Sequence, residues 1–188
     1  MEMETEIKVY ATLDDKTGVV LPELEWKPYQ VFLHEMVVIF DTFKSMVEAN
    51  AQGDIPLHVK SVTLGKILQF ARHYVDRPED HIYDVNMTDY DKTQFRASQW
   101  EIDFCHQDTM TESILLDILY VASGYLHFQR LHDVVASHLA NVINAICEQH
   151  HGNNEEAVSS IRKRFELVDT MTKEEMEMLR QETRWCLE

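Results

Sequence analysis

Cys147, His150 and His151 stand at i, i+3 and i+4 near the end of an apolar-periodic segment, the nearest approach to metal-ligand spacing in the chain. A closed tetrahedral site needs four donors, and no second Cys/His pair follows at a familiar spacing, so no metal is expected. The helix dipole alone favours histidine at such a terminus. Cys105 and His106 are adjacent, so both side chains cannot easily face one ion from a helix. His127, His132 and His138 read as interface or partly buried histidines. Glu101 and Asp103 flank the aromatic pair Trp100 and Phe104, where carboxylates keep a short helix solvated. GxSxG, HExxH, GxxxxGKS/T and GxGxxG are all missing, and five glycines leave little from which to build a phosphate-cradling loop. The sequence therefore predicts no enzyme and no cofactor. A metal-dependent enzyme on the Cys147/His150/His151 cluster is the third competing reading, and a zinc assay on purified protein decides it.

The elements that must position these groups follow from periodicity. Ile7 to Ala11 alternates as a strand, Asp14 to Gly18 is a turn, and Val19 to Leu21 is a short strand stopped by Pro22. Residues 22–28, with Pro22 and Pro28, read as a loop before a strand from Tyr29 to Leu33. Met36, Ile39, Phe40, Phe43 and Val47 predict a helix over 35–49. A strand from Ile55 to Val59 tolerates Pro56 at its start or at a sheet edge. Leu64, Ile67, Leu68, Ala71 and Val75 line one face of a helix from Ser61 to Asp76. The acidic stretch from Asp76 to Asp91 has no period and reads as an exposed loop, and Trp100 to Phe104 as a short helix.

Ile114 to Leu126 is apolar nearly all round, which predicts a buried central helix capped by Thr111 and interrupted at Gly124. Leu131, Val134, Val135, His138, Leu139, Val142, Ile143 and Ile146 give the clearest helical stripe, closed by Gly152. Two short amphipathic helices come last. One carries Val158, Ile161 and Phe165. The other opens with a Thr172/Glu175 capping box and carries Met176, Leu179, Thr183 and Cys186, with Trp185 at its end. Helices this short must dock their apolar faces on the domain or on a partner. The plan is an α+β domain with a helical tail.

Composition narrows the partners. Seventeen Lys and Arg stand against 33 Asp and Glu, a formal charge of −16. That balance opposes binding to nucleic acid and to anionic membranes. Three cysteines without a CxxC pair, and an acidic start with no apolar run, place the chain in a reducing compartment, cytoplasm or nucleus.

Ile55-Pro56-Leu57 followed by Leu64-Gly65-Lys66-Ile67-Leu68-Gln69-Phe70 and His73 resembles the strand-then-helix segment of the S-phase kinase-associated F-box adaptor family. Trp100-Glu101-x-x-Phe104 resembles that family's WD-x-x-F helix, and Leu115 to Leu131 its ELILAANYLDIKGL segment. Arg162-Lys163-x-Phe165, Thr172-x-Glu174-Glu175 and Arg184-Trp185-Cys186 resemble its closing RKTF, TEEE and QWC elements. The ordered set runs from Ile55 to Cys186.

The resemblance implies an α+β BTB/POZ-type domain over residues 1–150 that faces a cullin, followed by two C-terminal helices over 151–188 that bind F-box proteins. It implies a non-catalytic adaptor of an SCF-type ubiquitin ligase, working in ubiquitin-dependent protein degradation. Carried over, Ile161, Phe165, Met176, Leu179, Trp185 and Cys186 are the F-box-binding residues, and Gly124 and Tyr125 lie at the contact with the cullin N-terminal domain. Elongin C has the same type of fold but lacks the terminal helices, so residues 154–186 argue against it.

The chain departs from the pattern. Gly124 replaces the family's Asn before the tyrosine, and Leu13 to Pro28 reads as an insertion in the first hairpin. The competing function is a scaffolding paralogue that binds F-box proteins or itself, as a homodimer when free, but no cullin.

Overall fold

The computed structural model describes residues 6–32, 55–81, 97–124, 126–150, 154–167 and Met178. The elements are β1 (Glu6–Leu13), β2 (Lys27–Phe32), β3 (Ile55–Lys60), α1 (Ser61–Asp76), α2 (Gln99–Cys105), α3 (Glu112–Gly124), α4 (Gln129–Gln149) and α5 (Asn154–Arg164), with 3-10 turns at Glu23–Glu25 and Pro78–His81. The chain divides into two compact units, Met1–Ala145 and Ile146–Glu188, with the division inside the last turns of α4. The architecture is mixed α+β, as the sequence predicts. The expected helix over 35–49 and the Thr172/Glu175 capping box lie outside the described residues.

In the first unit the sheet order is β2-β1-β3. β2 runs antiparallel to β1, with Ile7 opposite Val31 and Val9 opposite Tyr29. β3 runs parallel to β1, with Ala11 opposite Leu57 and a register shift before Leu13. At that irregularity the buried Thr12 hydroxyl donates to the Leu57 carbonyl at 2.9 Å and lies 3.1 Å from His58 Nδ1. A side chain thus pairs a polar group that a regular ladder would have used. Pro56 sits on β3, an edge strand among the described strands, as its missing N–H requires.

β2 begins at Lys27, inside the stretch read as a loop. Pro28 is opposite Tyr10 on this other edge strand, where a proline removes little. The excursion from Asp14 to Trp26 is ordered from within. Asp14 accepts from the Lys16 and Thr17 amides and from the Thr17 hydroxyl, and these three bonds hold its carboxyl below the usual range. Gly18 takes φ +66 and closes the turn, which returns Val20 to a bridge with Leu13. Asp15 pairs with Lys27 and accepts from the Val62 amide, and the Trp26 indole donates to the Leu21 carbonyl.

α1 buries Leu64, Ile67, Leu68 and Ala71 of the predicted face and Phe70 beside it, while Val75 at its far end is half-buried. The Tyr29 hydroxyl donates to the Ser61 carbonyl at 2.7 Å at the start of α1. Gly65 allows that approach, since a Cβ there would meet Tyr29 Oη at 3.1 Å. Lys60 pairs with Asp117 and fixes the β3–α1 junction to α3. Lys66 donates to Gln107 and Thr109, which fixes α1 to the segment between α2 and α3.

The reading of α3 as buried all round is corrected. Leu115, Ile118, Val121 and Ala122 form a buried stripe, while Tyr120 is 77% exposed. An all-apolar pattern carries no polar side to orient it, so spacing alone does not say which face is covered. Thr111 caps the helix as predicted, accepting from the Ile114 amide.

The second unit is described through the end of α4, α5 and the residues after it. α5 carries Glu155 and Glu156 in its first turn and Arg162, Lys163 and Arg164 in its last, which complements the helix dipole at both ends.

Candidate functional site

The residues that carry the sequence resemblance in the first unit converge on packing. Phe70 lies 5.4 Å from Trp100, 5.2 Å from Phe104 and 5.6 Å from Phe128 between ring centroids. His73 stacks flat on Trp100 at 3.6 Å. These contacts draw α1, α2 and the start of α4 into one aromatic cluster. The motif residues here define the fold and not a reactive site.

Glu101 is not the solvated carboxylate that its neighbours suggested. It is completely buried, and both its oxygens receive the Arg130 guanidinium, Nε at 2.7 Å and Nη2 at 2.6 Å. It also accepts from the Ser98 amide at 2.7 Å, while Ser98 Oγ accepts from the Glu101 amide, so it closes a capping box. The Ser-x-x-Glu spacing at 98–101 was the signal available in the sequence. Asp103 does stay exposed and accepts from Gln99. Burial, and then the Glu101 carboxylate, push the Cys105 thiol up to about 12. Cys105 therefore stays protonated at neutral pH and is no nucleophile.

No group of three His, Cys, Asp or Glu among the described residues could hold a metal ion. His150 is engaged within its own unit. Its Nε2 lies 2.9 Å from Ser160 Oγ and its Nδ1 3.5 Å from Glu156. Cys147 is exposed, and His151 lies outside the described residues.

Two surfaces remain. The first is the corner between α3 and α4. Gly124 ends α3 in the open, and a Cβ built on it would meet nothing within 4 Å. The Leu126 amide donates to Val121 and the Phe128 amide to Ala122, which closes α3 with Leu126 and Phe128 both buried. Tyr125 lies outside the described residues. The second surface is on α5. Ala157 and Phe165 are buried, Ile161 between them is half-buried, and Val158 is 47% exposed. The buried line is therefore Ala157, Ile161 and Phe165, at i, i+4 and i+8. Val158 falls on the open side of that line. The ring of Phe165 is covered in the free chain, and Val158 and Ile161 give the apolar edge that α5 offers. Met176, Leu179, Trp185 and Cys186 lie outside the described residues.

Compared with known proteins, 155 residues of this chain are 30% identical to the SCF ubiquitin ligase complex proteins SKP1b and SKP1a of Dictyostelium discoideum, over 81% of this chain and 85% of each relative. The chain belongs to the Skp1 family. A Skp1-related protein of Caenorhabditis elegans is 28% identical over 137 residues, 70% of this chain and 66% of the relative. No protein-family model matches. The resemblance drawn from the ordered motifs is confirmed, and at this identity the Skp1-like chain is a divergent member.

Proposed function

We propose that this Skp1-family chain is a non-catalytic adaptor subunit of an SCF-type ubiquitin ligase. Its first unit, a BTB/POZ-type domain on this reading, meets the N-terminal domain of a cullin at the α3–α4 corner. α5 and the residues after it grip F-box substrate receptors. The supporting observation is the match, over most of both chains, to relatives named as SCF ubiquitin ligase complex proteins. The open end of α3 and the half-open apolar edge of α5 are consistent with two separate contacts. On this reading the chain works in ubiquitin-dependent degradation in the cytoplasm and nucleus, without cofactor, metal, nucleic acid or membrane.

The test is co-purification of the full chain with an F-box peptide and, separately, with a cullin N-terminal domain. Binding to both is expected. Binding to the F-box alone would favour the second reading, a scaffolding paralogue that occupies F-box proteins or pairs with itself without delivering them to a ligase. Gly124, in place of the family's Asn, is the observation behind that reading.

Gly124→Asn separates the two. The added side chain meets open space, and helix propensity favours Asn over Gly by a few tenths of a kcal/mol. The variant is therefore expected to melt within about 1 °C of the parent, by the size scaling of thermal shifts. It should hold the cullin domain at least as tightly as the parent. A loss of cullin binding would show that glycine is required at this position.

Trp185→Ala addresses the other contact. It is expected to release the F-box peptide while the melting temperature of the domain is kept, since aromatic anchors dominate such contacts. A fall in melting temperature matching the loss of binding would make Trp185 a plug of the fold instead.

A further inference from the structure

The corner between α3 and α4 encloses an open depression of about 330 Å³, lined by Ala122, Ser123, His127, Gln129 and His132. In a chain with 33 acidic residues, none of the described residues that line it is a carboxylate. It offers two imidazoles as donors, while the Ser123 hydroxyl donates to the Leu119 carbonyl and the Gln129 amide to Asp133. The first turn of α4 also carries no acid.

His127 is held in place by its neighbours. Leu126 and Phe128 are buried on either side of it, and their amides are bonded back to Val121 and Ala122. The chain between them has one way through, and His127 takes φ 54 there, in the left-handed region that non-glycine residues seldom adopt. Its ring is left exposed, in a direction set by two buried anchors. His132 is half-buried, with Nδ1 2.9 Å from Asp133 Oδ1, and Gln129 donates to the same carboxylate at 2.6 Å. Asp133 is thus occupied by the residues that line the depression. Arg130 is turned away from it into the buried pair with Glu101.

We infer that this depression receives a carboxylate side chain of the partner that docks on the α3–α4 corner, with His127 as the specificity-determining contact and Gln129 and His132 as its support. The inference rests on the cullin reading of that face, because it takes the cullin N-terminal domain as the source of the carboxylate. The His127 imidazole is preorganised, so binding need not order it. A like charge placed at the same spot opposes docking.

The test is the affinity of the full chain for a cullin N-terminal domain, by calorimetry, with His127→Glu and His127→Lys. Both substitutes bear the same left-handed backbone, so the difference between them reads charge. A second pair, Gln129→Glu and Gln129→Lys, probes the depression from the regular helix. Asn144→Glu and Asn144→Lys, exposed farther along α4, correct for the change in net charge. Melting curves confirm folding. The expected result is a loss of roughly ten-fold or more for the Glu variants relative to the Lys variants, beyond the difference at Asn144. Equal affinities of the Glu and Lys variants, with the parent binding normally, would overturn the inference and leave the adaptor function intact. No binding by the parent or by Gly124→Asn would overturn the cullin reading and the inference with it.

Discussion

Arg130→Ala is expected to lower the stability of the first unit by about 3–5 kcal/mol, the cost of leaving a buried charge without its partner. The geometry puts the effect at the upper end of that range. Glu101 is fully buried, Arg130 is 7% exposed, and two charge-assisted bonds join them. In a unit of this size such a loss lowers the melting temperature by about 10 °C.

The variant should recover in part on acidification. With Arg130 gone, the buried Glu101 carboxyl keeps a proton more readily in the folded than in the unfolded chain. A group raised in this way stabilises at low pH, and the stabilisation disappears as the pH rises. Melting curves of the variant at pH 5 and pH 7 check this. A deficit that does not shrink at pH 5 would mean that water reaches Glu101. Replacing both residues by methionine is expected to cost far less than the sum of the single changes, because neither leaves a stranded charge.

Phe70→Ala carries the second large effect, a loss of about 3–5 kcal/mol as a large side chain is cut from a close-packed site. Phe70 has no exposed surface, and its ring is the common neighbour of Trp100, Phe104 and Phe128. Two segments distant from it in sequence, α2 and the start of α4, meet on it, so the cavity cannot be closed by moving one of them. Chemical denaturation measures the loss, and near-ultraviolet dichroism should fall as Trp100 loses its fixed surroundings. A loss below about 1 kcal/mol would mean that the neighbours collapse into the space.

The legible parts of this fold are those set by local periodicity. α1 occupies the interval Ser61 to Asp76 that its apolar spacing marks, and β1 and β3 contain the alternating runs read as strands. What could not be read depended on residues far apart or on which face was covered. Glu101 finds its counter-charge 29 residues away, and no local pattern announces such a pair. Pro28 resembles a breaker until β2 is known to be an edge strand. Tyr120 belongs to a stretch whose apolar residues do not declare a side.

The candidate surfaces divide the same way. The ordered motifs pointed to the family, but Phe70 and Phe104 serve the core, with the half-buried Trp100 packed against them. His127 was read only as one of three interface or partly buried histidines, inside the segment that resembles the family. It became distinct only when buried neighbours fixed its direction. Gly124 was visible from the start as a departure, and the open space around it shows that crowding did not select glycine there.

The parallel pairing of β1 with β3 has a consequence for how the chain folds as it is made. Leu57 lies 45 residues after Thr12, to which it is hydrogen-bonded, so the middle strand waits for a distant segment to arrive. Until then β1 has, among the described strands, only β2, and an isolated hairpin is marginal in water. β1 and β2, made before β3, therefore spend time with an unpaired edge and an uncovered face, the state in which nascent chains stick to one another. The sheet is complete only when Ser61 to Asp76 has been synthesised and α1 can pack against it, so the first unit cannot close before residue 76 is made.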